Sequence, residues 1–148
     1  MKLSIKLILV VFLLTSCNSN KKSDQELAYS QKTDDLQTSI KRGKSVYQDM
    51  CITCHLDSGK GVPKAFPPLA GSDFLKENQN KSITAVKKGM NGKIVVNGTT
   101  YNSVMSPLGL SDKEVADVMN YINNSWGNDY GKFISPEEVT KVVKNSLN

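Results

Sequence analysis

The residues of this chain best equipped for chemistry are Cys51, Cys54 and His55, in the run Cys51-Ile52-Thr53-Cys54-His55. Two thiols separated by two residues and followed at once by an imidazole form the pattern of covalent haem attachment. The thiols add across the two vinyl groups of a haem, and the intervening residues set the reach between them. The histidine is then carried beneath the iron, where a ring nitrogen serves as proximal ligand. Two other readings of the run fit less well. A thioredoxin-like redox pair needs a βαβ context, which the flanks lack. A structural zinc site needs about four Cys or His ligands. The chain has three cysteines and one histidine, and Cys17 is occupied otherwise.

The elements that must position this motif lie on both sides of it. Upstream, Ile40, Gly43, Val46, Tyr47 and Met50 recur at three- and four-residue steps and predict a helix running into the motif. Gly43 interrupts it at a propensity cost of about 1 kcal/mol, which implies a packing role. Downstream come Gly59, Gly61 and Pro63, then Phe66-Pro67-Pro68-Leu69, a stretch that cannot continue a helix. A short helix is expected from Ser72-Asp73 to about Asn78, and another over Ser82–Lys88 closed by Gly89. The β-branched runs Ile94-Val95-Val96 and Thr99-Thr100-Tyr101, separated by Asn97-Gly98, predict a hairpin. Ser111 and Glu114 form a capping box that opens a helix with Val115, Val118, Met119 and Ile122 inward and Gly127 as its expected stop. Ser135-Pro136-Glu137-Glu138 starts a last short helix, expected on the domain surface.

The N-terminus reads as a targeting segment. Lys2 and Lys6 precede the apolar run Leu7–Leu14, which is too short to span a bilayer. Leu14-Thr15-Ser16-Cys17 looks like the lipobox of bacterial lipoproteins. Residues 1–16 are thus expected to be a signal peptide and Cys17 a lipidated, membrane-anchoring residue, placing the protein outside the cytoplasm. Residues 17–38 are polar, without sustained periodicity, and are expected to be a flexible tether reaching at most about 70 Å. Loss of residues 1–16 lowers the formal charge from +5 to +3. No Lys/Arg cluster is interleaved with aromatics, so nucleic-acid binding is a poor reading. The lysines suit a solvated surface or a docking rim for an acidic redox partner.

Together these features resemble the small, single-haem class I c-type cytochromes, over residues 39–143. The resemblance implies an all-α domain wrapped around one covalent haem c, with a short β-hairpin before the methionine ligand loop. It places Gly43 and Tyr47 where the first helix crosses the last, with Tyr121 opposite. It implies that the carbonyl of Pro67, or of its neighbour Pro68, receives the His55 N–H, and that Leu69 lies against the haem. The sixth ligand is expected to be Met105, on a loop whose Pro107 follows one residue later than is usual. Met90, after a helix cap, is its rival; Met119 reads as core, and Met50 lies on the wrong side of the motif. The cytochrome domain is expected over 39–128, and 129–148 as a terminal extension with a short helix. The function implied is one-electron transfer between protein partners by a monomeric carrier that is not an enzyme. The alternatives are a haem-bearing subunit of a larger dehydrogenase or oxidase, or an open-site haem protein binding gas or peroxide. The second of these lacks both a further attachment motif and a distal histidine.

Overall fold

A computed structural model describes residues 21–146, with side chains from Asp35 onward. The signal peptide and Cys17 lie outside the described residues. The chain divides into Met1–Thr33 and Asp34–Asn148, and the buried core belongs to the second unit. The elements are α1 (Lys21–Met50), α2 (Ile52–His55), α3 (Asp73–Glu77), α4 (Gln79–Lys88), β1 (Ile94–Val96), β2 (Thr99–Tyr101), α5 (Asp112–Asn123) and α6 (Pro136–Asn145). This is the expected all-α fold with one hairpin. Among the described residues no helix is long and apolar enough to cross a membrane.

Helix α1 begins at Lys21, so residues 21–38, expected to be an irregular tether, are helical. The stretch from Lys21 to Arg42 contains no Gly or Pro and includes Lys, Arg, Gln, Glu and Leu, all good helix formers. Such a composition sustains a helix by intrinsic propensity, without an apolar stripe to bury. The apolar steps begin only at Ile40, where the helix meets the core.

Gly43 sets the principal helix crossing. A Cβ at this position would overlap the Asp117 carbonyl and come within 2.9 Å of the Tyr121 Cβ, so α1 rests directly on the α5 backbone. Polar groups lock the crossing. The Asp117 carboxylate, almost buried, accepts two hydrogen bonds from Arg42, each 2.6 Å, one from the Ser39 hydroxyl at 2.6 Å and one from Lys113 at 2.9 Å. Burial alone would raise its pKa, but the hydrogen bonds from Arg42, Lys113 and Ser39 outweigh it and hold the group ionised below the usual carboxylate range.

The capping box at Ser111 and Glu114 forms as expected and starts α5. Its end differs: α5 stops at Asn123, not at Gly127. The reason is tertiary. Asn128 donates from Nδ2 to the Ile122 carbonyl at 2.9 Å and to the Leu69 carbonyl at 3.0 Å, and the Tyr130 N–H reaches the Asn123 carbonyl at 3.1 Å. The last carbonyls of α5 thus find partners in the chain that folds back, and Trp126 (φ +54°) and Gly127 (φ +84°) make the reversal.

Helix α6 is not a surface addition. Val139 and Val143 are buried in the same core as Val115, Val118 and Ile83, and α6 packs on both α4 and α5. Asn120, itself buried, accepts from the Ile134 N–H and donates to the Ile134 carbonyl, which fixes the entry into α6. The hairpin pairs Ile94 with Tyr101 and Val96 with Thr99. Asn97 (φ +49°) and Gly98 (φ +73°) take the left-handed conformations of a type I′ turn. The turn is tied to the start of α3: the Asn97 N–H donates to the Asp73 carboxylate, and the Asp73 N–H donates to the Asn97 side chain.

Replacing Gly43 by Ala should therefore force α1 away from α5. A loss of about 1–3 kcal/mol in unfolding free energy is expected, measurable by guanidinium denaturation. An unchanged midpoint would show that the crossing tolerates the methyl group.

Candidate functional site

Helix α2 is one turn long and holds the Cys-x-x-Cys-His run. The His55 N–H bonds to the Cys51 carbonyl at 2.9 Å, which closes that turn. Cys51 is buried and Cys54 half-buried, and neither is in a disulfide. Burial, with a smaller contribution from Cys54, pushes the Cys51 thiol up to about 11. The chain then reverses at Leu56, whose φ is +62°. The Tyr47 hydroxyl donates to the Leu56 carbonyl at 2.7 Å and braces the reversal from α1. The Tyr47 ring is fully buried and packs against Tyr121 and Trp126, with centroids 5.4 and 5.2 Å away. Trp126 also covers Gly59 and donates from Nε1 to the Asp57 carbonyl at 3.0 Å. It therefore clasps the loop after the motif to the end of α5, a role its sequence position alone left undecided.

The loop from Leu56 to Ala70 returns the Pro67 carbonyl to the histidine. His55 Nδ1 lies 3.0 Å from the Pro67 oxygen. A carbonyl only accepts, so the proton of that bond sits on Nδ1, and Nε2 keeps its lone pair. Burial lowers the His55 pKa, and the bond to Pro67 opposes this in part. The ring is therefore held neutral and oriented, as a metal-ligating imidazole must be. Pro67, and not Pro68, occupies the position. The Leu69 side chain is partly buried against the core, and its N–H bonds to the Gly59 carbonyl at 2.7 Å.

His55 and Pro67 line a crevice, together with Cys54 and Phe66. Met105, Met90, Ile94 and Tyr101 line the same crevice. Met105 and Met90 exchange backbone hydrogen bonds of 2.8 and 2.9 Å, so the two candidate thioethers sit side by side. The Ser103 hydroxyl reaches the Ala65 carbonyl at 2.5 Å and ties the methionine loop to the loop bearing Pro67. Neither the methionine pair nor the Ser103 tie had a local signal in the sequence, because both join distant segments.

The donors suit one haem. They offer two unbridged thiols one helical turn apart, an imidazole nitrogen with a free lone pair, and a thioether lining the same apolar crevice. The chain matches the family described as Cytochrome c over residues 40–126. It belongs to the cytochrome c family. Two cytochromes c-552 of Thermus thermophilus are 40% identical to it over 114 residues, which span 71% of this chain and 86% or 76% of theirs. The cytochrome c subunit of a quinone alcohol dehydrogenase from Gluconobacter oxydans is 32% identical over 103 residues, 68% of this chain but only 21% of that subunit. This cytochrome c is accordingly a haem c-binding electron-transfer protein, a carrier and not a catalyst, and its partners are other redox proteins.

Gly61 protects the histidine bond. It has φ +62°, and a Cβ there would overlap the Phe66 carbonyl and lie 2.6 Å from the Pro67 oxygen. Gly61→Ala should displace the Pro67 carbonyl from His55 and destabilise the domain by about 1–3 kcal/mol. The readouts are the His55 ring N–H resonance in the ferrous protein and the denaturation midpoint. A resonance that stays in place would separate Gly61 from the orientation of the histidine.

Proposed function

We propose that this cytochrome c is a one-electron carrier of an extracytoplasmic respiratory chain, with His55 and Met105 as the axial ligands of one haem c bound through Cys51 and Cys54. The bound group supplies an iron that cycles between ferric and ferrous states. The chain's own residues do the rest. Pro67 holds His55 neutral and turned toward the crevice. Met105 offers a neutral, soft sulfur that favours the reduced state and raises the potential. Phe66, Ile94 and Tyr101 give the crevice apolar walls that limit the approach of water. The observation that carries the reading is that His55, with Nδ1 committed to Pro67, and Met105 line one crevice. A fixed ligand on each side leaves no open position for a substrate and keeps reorganisation small.

Val104, beside Met105, is 69% exposed on the rim of the crevice, which suits brief apolar contact with a protein partner. Lys88 and Lys93 line the neighbouring groove and can steer an acidic one. A second reading is a haem-bearing subunit of a larger dehydrogenase, favoured by the match to the cytochrome c subunits of alcohol dehydrogenases. The Thermus cytochromes match over most of their length, and this favours the separate carrier. Anchoring through lipidated Cys17 would keep such a carrier at a membrane face, at a high local concentration for its partners.

The ligand assignment is tested in a Met90→Leu background, where Met105 is the sole crevice thioether. The oxidised protein should show the near-infrared sulfur-to-iron charge-transfer band, and the added change Met105→Ala should abolish it. A native protein without the band and with a high-spin spectrum would give way to the open-site reading. The anchor has its own test. The protein should fractionate with membranes, and Cys17→Ser should move it to the soluble fraction. Retention of that variant on membranes would rule out a lipid anchor at Cys17.

A further inference from the structure

Met90 is the one crevice thioether, among the described residues, that the proposed ligand set leaves unused, and its placement is unusual. Its N–H donates to the Met105 carbonyl at 2.8 Å, and the Met105 N–H donates to the Met90 carbonyl at 2.9 Å. Residues that exchange both hydrogen bonds in this way stand directly opposite each other, with Cα atoms about 5.5 Å apart and side chains on the same face. Both methionines indeed line the same crevice as His55. The other described methionines do not: Met119 is fully buried in the core, and Met50 is 42% exposed. Gly89 makes the approach feasible, since a Cβ there would lie 2.9 Å from the Pro107 ring and overlap the Met105 carbonyl. A methionine side chain has three rotatable bonds and adapts readily to a neighbouring position.

We propose that Met90 is a reserve axial ligand, a second thioether that takes the iron when the Met105 sulfur is lost or displaced. The inference rests on the reading of His55 and Met105 as the native pair. The exchange needs no redox step and no proton. With the haem bound, the Met90 sulfur would offer its lone pair in place of that of Met105, and the backbone bonds between the two residues need not break. The chemistry that would call on it is attack by a peroxide, which transfers one oxygen atom to the Met105 sulfur to give the sulfoxide and is itself reduced to water or an alcohol. A single-methionine crevice would then open to small ligands, whereas this one keeps sulfur within reach.

The test compares the native holoprotein with Met105→Ala, Met105→Leu, Met90→Leu and the double variant Met90→Leu/Met105→Ala. Met105→Leu keeps the side-chain volume, and the backbone pairing with Met90 needs no side chain, so at least this variant should fold. Circular dichroism checks it. The near-infrared sulfur band should persist, shifted, in both single Met105 variants and vanish in the double variant. Added imidazole should bind the double variant at least about tenfold more tightly than Met105→Ala, because no internal sulfur competes. Loss of the band in both Met105 variants would overturn the reserve role and leave the His55/Met105 assignment standing. A spectrum of nitrogen ligation there, from Lys88 or Lys93, would overturn it equally. Loss of the band in Met90→Leu alone would make Met90 the native ligand and overturn both readings.

Discussion

Everything in this domain is built outward from the place where two helices touch without side chains between them. At Gly43, α1 lies against the backbone of α5, and only a residue without a Cβ permits it. The contact aligns two further groups, one on each side of it. Asp117 is held by Arg42, Ser39 and Lys113, and these bonds outweigh the penalty of its burial. Tyr47, one turn further along α1, meets Tyr121 and Trp126 and brings its hydroxyl to the loop after the haem motif. The crossing thus sets both the direction from which the motif enters and the point at which the chain turns away from it.

The site then needs few additional parts. A one-turn helix presents Cys51, Cys54 and His55, a proline-containing loop returns a carbonyl to the histidine, and a second loop brings the methionines. The two loops are joined by the Ser103 hydroxyl bond to Ala65, and the methionine loop is held from behind by Met90. An electron carrier benefits from such a frame. The less its ligands move between oxidation states, the smaller the barrier to transfer, and here each ligand loop is secured by atoms of another segment.

Much of this was legible in the sequence where the determinants are local. The attachment motif, the Asn97-Gly98 turn, the capping box at Ser111 and the start at Ser135 each depend on residues within a few positions of one another, and each appears in the structure. The resemblance to class I cytochromes supplied Gly43, Tyr47, Tyr121 and Pro67, all of which lie where it implied. The failures share a different character. The end of α5 depends on the side chain of Asn128 reaching back to Ile122, which no local pattern announces. The burial of α6 depends on what its valines meet, and a short apolar stripe does not name its partner. The helical stretch of α1 before Ile40 shows the converse, a polar sequence whose backbone propensity suffices without any face to bury.

The burial of Val139 and Val143 has a consequence for how the protein comes into being. The core shared by α4, α5 and α6 cannot close until the far end of the chain has arrived, whereas the thiols belong to the first half. A chain delivered from its N-terminus into another compartment would present Cys51 and Cys54 well before it can fold over them. In the finished fold Cys51 is buried and its thiol resists ionisation, a poor state for bond formation. With Val139 and Val143 so far along the sequence from Cys51, such a chain would hold its thiols in the open until those valines arrive.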